Sequence, residues 1–282
     1  MRQFYQLIIC FILIPGFGLP EKAQAQPVSG TNLMELRQPL SGLQWLPDPG
    51  CIRLNPALTV QWNQAVIELQ SKRLYGFPEF GVYSLTSVLP VSLGKFGLSV
   101  SHFGWNQFAS NQFYLSYGKK LSPVLAAGTG FQLEQQRIPG IPSQLSWSGQ
   151  LGCLLQLNES FTGHFSLSRT QITASTPPRS TISWNWMAGL DGRLSEQSMV
   201  SCTLWQEHNQ QPLFATCLYY QFHRMATAWL GFETAVRQWY TGVGWQRNYL
   251  RISLSVSRHW PLGWSPEVQA IFFRNAKKGK HA

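Results

Sequence analysis

The residues that could form a nucleophilic site are a histidine and a serine two positions apart, in the run Gly-His-Phe-Ser. His164 and Ser166 would share one face of a strand, and a base beside a hydroxyl group can make a nucleophile. Phe165 and Leu167 would take the opposite, apolar face. A lipid-cleaving pair would need access to lipid, whereas this pair would point to the polar side. We therefore predict no enzymatic activity and no catalytic residues.

Other chemical motifs are absent from the sequence. The remaining histidines lack the spacing of metal ligands, and there is no Gly-Xaa-Ser-Xaa-Gly elbow, phosphate-binding loop or dinucleotide fingerprint. We therefore predict no cofactor and no metal. The formal net charge is +10, and much of the excess lies in a C-terminal cluster, 274–282. We interpret this cluster as a solvated tail and expect no nucleic-acid partner, because no basic stripe alternates with aromatic residues.

The elements that would position these residues are strands. Only 12% of residues are charged while 44% are hydrophobic. From residue 64 onward apolar and polar residues alternate, which is typical of half-buried strands, and no amphipathic helix interrupts the series. In 145–157, for example, Leu and Trp alternate with Ser and Gln. The fourteen predicted strands lie near 64–73, 79–90, 95–105, 110–119, 122–134, 145–157, 160–172, 181–191, 196–206, 212–222, 225–234, 238–246, 248–259 and 266–275.

Strands of this length suit a membrane-spanning barrel, since a tilted strand crosses a bilayer in about 9–11 residues. Alternate connections are short, whereas several of the others, such as 134–144 and 172–181, are longer and contain proline. This asymmetry is typical of periplasmic turns and outer loops, and many tryptophans lie near strand ends, where they favour the membrane interface. We predict an all-β, antiparallel up-and-down transmembrane barrel of about 14 strands. The alternative is a soluble exported β-sandwich or barrel that acts as a binding module.

The N-terminus indicates export. Its longest apolar run, 7–14, is too short for a membrane-spanning helix of about 20 residues and precedes Ala-Gln-Ala at 23–25. We therefore predict a signal peptide at 1–25, an N-terminal periplasmic or hatch-like segment at 26–63, the barrel at 64–275 and a basic tail at 276–282. The predicted location is the bacterial outer membrane.

Two stretches carry a resemblance to a known family. Asn55, Pro56 and Ala57 precede the first strand and resemble the Asn-Pro-Ala element of outer-membrane proteins of the FadL and PorV/PorQ type. The run 115–133 resembles their strand, short periplasmic turn and Gly-rich returning strand. The resemblance implies a fourteen-strand barrel whose N-terminal segment folds inward as a hatch. A periplasmic linker is the alternative for this segment.

The resemblance implies two functions. FadL-type proteins pass long-chain fatty acids or other hydrophobic small molecules, and PorV/PorQ-type proteins serve type IX secretion. The hatch segment and outer loops look short here, leaving little material for a deep apolar pocket. We therefore expect a secretion or surface-assembly component, with FadL-like transport as the alternative. The expected partners are outer-membrane lipid, and either secretion-apparatus proteins or exported cargo, or hydrophobic small molecules.

Charged residues on predicted strands are the remaining site candidates. Glu68, Arg169, Glu233 and Arg251 lie within or near the ends of strands. A charge in such a position must face a polar lumen or an interface. We expect some of them to line the lumen and contact the N-terminal segment. The alternative is that they are solvated lumen charges with no specific partner.

Overall fold

The structure is a computed structural model that describes residues 47–274, apart from 106–107, 176–177, 208–209, 235–237 and 261. For residue 141 and the strand residues between 172 and 181, the backbone alone is described. The predicted signal peptide, 1–25, and the predicted basic tail, 276–282, lie outside the described residues.

The described chain forms one closed antiparallel barrel, as predicted. Each strand pairs with the next in sequence, and β1 pairs with β14, so every strand has two neighbours. The strands are β1 Val66–Arg73, β2 Gly81–Val91, β3 Gly94–Gly104, β4 Ala109–Lys120, β5 Leu125–Ile138, β6 Ile141–Gln156, β7 Phe161–Ser175, β8 Pro178–Arg193, β9 Ser198–Gln206, β10 Leu213–His223, β11 Ala226–Glu233, β12 Gln238–Arg247, β13 Leu250–His259 and β14 Gly263–Phe273. Closure removes the free strand edges that a membrane does not tolerate.

The two faces of the wall have opposite polarity, in the sense expected of a membrane barrel. On β1, Ile67 and Leu69 are about half exposed on the outside, while Glu68 and Gln70 are buried inside. On β13, Leu254 likewise faces outward and is 52% exposed. A soluble protein buries its apolar face, whereas this wall exposes it, and the part of the chain that the structure describes contains no second sheet to cover it. The soluble-module alternative is therefore wrong, and lipid is the solvent that suits the outer face.

Both ends of the barrel chain lie at the same rim, which we call the lower rim. Val66 of β1 pairs with Phe273 of β14 there, and the backbone N–H of Arg274 donates to Ala65 O at 3.0 Å. The other end is the upper rim. Exposed tryptophans near the upper rim face outward, as expected of an aromatic girdle. They are Trp184, Trp239 and Trp264.

The upper connections between β5 and β6 and between β7 and β8 are shorter than predicted. The expected long loop at 134–144 is a two-residue turn at 139–140, where Gly140 has φ 75°, and both flanking strands continue to meet it. β7 and β8 likewise extend to residues 175 and 178. The polar and proline residues there do not alternate with apolar ones, because strand ends above the membrane need no apolar outer row. The sequence pattern therefore does not predict that the pairing continues. No helix among the described residues has the length and apolar character that a membrane span requires.

Candidate functional site

The candidate site is the chain that precedes β1 and lies inside the barrel, residues 47–62, which we call the inner segment. It consists mainly of two short 3-10 helices, Pro49–Arg53 and Pro56–Gln61. Each begins with proline, whose fixed φ suits the first helical position. Each also has a side-chain cap, since Asp48 accepts from Gly50 N and Asn55 accepts from Ala57 N. The groups that cap the two helices therefore come from within the inner segment itself.

Asn55 joins the inner segment to the wall through both halves of its amide. It is fully buried. Its Oδ1 accepts from Ala57 N at 3.0 Å, while its Nδ2 donates to Cys153 O and Phe165 O, each at 3.2 Å. Those two carbonyls belong to residues that face each other across β6 and β7. An asparagine can fill this position because it accepts and donates at once.

Glycines on the inner face of β3 to β6 let the inner segment approach the barrel wall closely. A Cβ added to Gly128 would lie 2.5 Å from both Ala57 N and Pro56 C. One added to Gly97 would lie 2.6 Å from Cδ1 of Ile52. A Cβ added to Gly118 would overlap Thr59, and one added to Gly152 would overlap Asn55. We call the four residues the glycine cradle, and they are Gly97, Gly118, Gly128 and Gly152.

A polar cluster on β1, β13 and β14 holds the start of the inner segment. Glu68 Oε2 accepts from Gly50 N at 2.7 Å, and Arg251 Nη1 donates to Pro47 O at 3.0 Å. Gln269 Nε2 donates to Asp48 Oδ2 at 3.0 Å. The four side chains, from Asp48, Glu68, Arg251 and Gln269, form what we call the polar latch. Beside it, burial raises the pKa of the Cys51 thiol, so this side chain stays neutral.

The four predicted lumen charges do not behave alike. Glu68 and Arg251 are buried in the polar latch, and Glu233 is buried on the inner row of β11. Arg169 is instead exposed on the outer row of β7, with its guanidinium 5.4 Å from the ring centroid of Trp184. Its expected place in the lumen is therefore wrong. The stacking on an aromatic ring near the upper rim lets a charge sit on the outer face.

The histidine and serine considered as a nucleophilic pair have separate partners. Ser166 Oγ donates to Leu54 O at 2.8 Å, so its hydroxyl holds the inner segment. His164 Nε2 lies 4.0 Å from Asp191 Oδ2, with both side chains buried. Gln150 Nε2 also donates to Leu54 O, at 2.7 Å. Among the described residues, no group of three or more His, Cys, Asp or Glu side chains could hold a metal ion.

An apolar contact completes the attachment. The inner segment contributes Cys51, Ala57, Leu58 and Val60 to one buried cluster. The facing residues lie on the inner rows of five strands, β5, β6, β8, β9 and β10, and are Ala126, Leu154, Met187, Trp205 and Ala215. We call these five residues the apolar strip. Sequence alternation alone could not find it, because these residues occupy positions that are polar elsewhere in the lumen.

Charge reversal in the polar latch should loosen the inner segment. Arg251→Glu removes the bond to Pro47 O and places a third carboxyl group beside Asp48 and Glu68. Breaking a buried charged contact typically costs about 3–5 kcal/mol. We expect higher ion conductance in planar bilayers, with the barrel still folded. Arg169→Glu makes the same charge change on the outer face and should leave conductance at the wild-type level. Equal conductance in Arg251→Glu and wild type would contradict this role.

Comparison with solved structures finds transport barrels. The Ralstonia pickettii toluene transporter TbuX matches with a TM-score of 0.59 at 11% identity, over 80% of this chain and 94% of TbuX. A Pseudomonas aeruginosa FadL homologue matches with a TM-score of 0.56 at 10% identity, over 82% and 95% of the two chains. The monoaromatic hydrocarbon channel CymD matches with a TM-score of 0.56 at 10% identity, over 80% and 93%.

These similarities show a shared fold, that of FadL-type outer-membrane barrels. No protein-family model matches the sequence, and comparison with curated protein sequences finds no match. These neighbours are named as a toluene transporter and a monoaromatic hydrocarbon channel. PorV and PorQ in particular are not shown by these matches, so the FadL half of the resemblance is the better supported.

Proposed function

We propose that the protein passes hydrophobic small molecules across the outer membrane and that the inner segment is the hatch of this channel. The observation that carries the proposal is the apolar strip. The hatch covers it with apolar side chains, so displacement of the hatch would expose an apolar surface inside the lumen. An apolar solute could exchange with the hatch on that surface at little cost in desolvation.

The rest of the lumen has a different character. On β1 to β3 several inward polar side chains are hydrogen-bonded to one another, as in the bonds of Ser84 to Gln70 at 3.0 Å and between Thr86 and Ser99 at 2.9 Å. Polar groups that are bonded to each other in this way offer an apolar solute little. The proposed path therefore follows the apolar strip on β5 to β10 rather than the centre of the lumen.

The sequence favours a secretion or surface-assembly role because a short hatch leaves little material for a deep apolar pocket. The short inner segment nevertheless supplies about half of an apolar contact with five strands. The structural neighbours named for transport of toluene and monoaromatic hydrocarbons also support transport better than secretion. We therefore place hydrophobic small molecules before secretion partners.

Uptake by intact cells tests the proposal. Expression in a bacterium without its own transporter should raise uptake of radiolabelled toluene or a long-chain fatty acid several-fold over empty vector, roughly the effect of lowering a barrier by 1 kcal/mol. Uptake of a polar disaccharide should not change. A rise for the disaccharide without a rise for either apolar solute would contradict the proposal.

A polar substitution on the apolar strip should lower that uptake. Leu154→Gln keeps the side chain at similar size but places an amide on the proposed path. Burying an amide without a partner costs about 1–3 kcal/mol, so uptake of the apolar solutes should fall several-fold or more. Ser99→Ala, on the polar side of the lumen, is the control and should keep wild-type uptake. If Leu154→Gln keeps wild-type uptake, the path does not follow the strip.

A further inference from the structure

The lower rim carries a regular arrangement of charged and apolar residues that neither closure nor transport uses. Its turns are short, at 92–93, 121–124, 157–160, 194–197, 224–225 and 248–249. Exposed basic side chains lie in or beside most of these turns and at the end of β14. They are Lys119, Lys120, Arg193, Arg224, Arg247 and Arg274. The exposed acidic residues described at this rim are Glu159 and Glu196.

Each of four turns pairs a basic residue with an exposed large apolar one. Leu121 is 60% exposed next to Lys120, and Tyr249 is 56% exposed two positions after Arg247. The pattern repeats with Leu194 next to Arg193 and with Met225 next to Arg224, both apolar residues being 40% exposed. Exposed apolar tips on tight turns cost free energy in water. They are stabilised if they enter the boundary between headgroups and acyl chains.

Two of the basic residues mark where that boundary lies. On β4, Lys119 continues the outward row of Phe113, Leu115 and Tyr117, and on β12 Arg247 follows Trp245. These two lipid-facing rows therefore end at the lower rim in a basic residue. Lys and Arg at such positions extend their charged groups to the headgroups while their stems remain in the apolar region.

We infer that the lower rim binds anionic phospholipids of the leaflet that surrounds it. The phosphodiester group would lie between the guanidinium or ammonium groups of neighbouring turns, and the apolar turn residues would contact the first methylenes of the acyl chains. Two phosphate oxygens can accept from one Arg guanidinium in a two-pronged geometry, whereas a Lys ammonium group donates to phosphate as a single centre of charge. Because the headgroups of phosphatidylglycerol carry a net negative charge, this rim should prefer them over zwitterionic headgroups.

Lipid retention in nanodiscs tests the inference without any measurement of transport. The full chain is placed in nanodiscs of phosphatidylethanolamine and phosphatidylglycerol, and the lipids that stay bound are counted by native mass spectrometry. We expect phosphatidylglycerol to be enriched over its share in the nanodisc. In K119Q/R193Q/R224Q/R247Q the enrichment should be lost, since each basic residue near an anionic surface changes the partition by about fivefold.

The matched control removes the same charge from the upper half of the barrel. R73Q/R137Q/R169Q/R258Q replaces four arginines that are exposed there and should keep the wild-type enrichment. A second measurement on the wild type alone covers the case in which a variant does not fold, because electrostatic enrichment should fall as salt rises. The inference is overturned if the lower-rim variant retains phosphatidylglycerol like the wild type, if both variants lose it equally, or if the wild-type enrichment is insensitive to salt.

Discussion

Gly128→Val should release the inner segment and open the barrel to ions and apolar solutes. The new Cβ would lie 2.5 Å from Ala57 N and Pro56 C, which are backbone atoms that cannot move aside alone. Overpacking a tight contact costs typically about 1–3 kcal/mol, and here the cost acts on the attachment. Valine itself favours strands, so β5 should still form. In planar bilayers we expect frequent or lasting open conductance where the wild type is mostly closed.

The neighbouring strand provides a matched control for this substitution. Gly149→Val adds the same side chain to β6, at a position where a new Cβ meets no atom within 4 Å. It should stay closed like the wild type. A shift in electrophoretic mobility between unheated and heated samples would show that both variants still form folded barrels. A closed Gly128→Val barrel would mean that the inner segment does not depend on the glycine cradle.

Asn55→Asp should weaken the attachment while preserving the local cap. A carboxylate can still accept from Ala57 N, so the helix Pro56–Gln61 keeps its N-terminal bond. It cannot donate to Cys153 O and Phe165 O, and a negative oxygen would face both carbonyls. A buried polar group without its partner costs about 1–3 kcal/mol, more for a charge. We expect raised conductance and faster protease cleavage within the inner segment.

Asn63→Asp supplies the control for that chemical change. Asn63 is exposed just beyond the inner segment, and its Oδ1 accepts from Lys95 Nζ at 3.1 Å, a bond that aspartate keeps. Both conductance and cleavage should match the wild type. If Asn55→Asp behaves the same way, the two bonds to the wall are not what holds the segment in place.

Strand number and direction followed from sequence because membrane strands need a period-2 apolar row long enough to cross the bilayer. In β13, Ile252 and Leu254 face out while Arg251 and Ser253 face in, as their alternation alone predicts. Strand ends above the membrane lack that row, and this is why the turn at 139–140 was expected to be a long loop. Periodicity therefore reports the part of a strand that faces lipid.

The site was only partly visible in the sequence. Asn55 was found through a three-residue resemblance, but its two wall carbonyls belong to the backbone and leave no sequence signal. Gly97 and Gly128 stood at inward positions, where glycine signals a close approach without naming the partner. Arg169 was misplaced because a charge near a strand end suits the lumen and the interface equally. In each of these cases the contact that matters joins residues far apart in the sequence, and an alternating pattern does not reveal such contacts.

A reversible tether between the inner segment and the wall tests the account most directly. A Cβ at Gly118 would overlap Thr59 Oγ1, a side-chain atom that Thr59→Cys replaces with sulfur, so Thr59→Cys with Gly118→Cys can form a disulfide once these two side chains adjust. The pair is introduced after Cys51, Cys153, Cys202 and Cys217 are replaced by alanine, with that background as the control. We predict that oxidation stops uptake of toluene or a fatty acid and that reduction restores it. Equal uptake by the oxidised and reduced forms would contradict the claim that the inner segment must move for an apolar solute to pass.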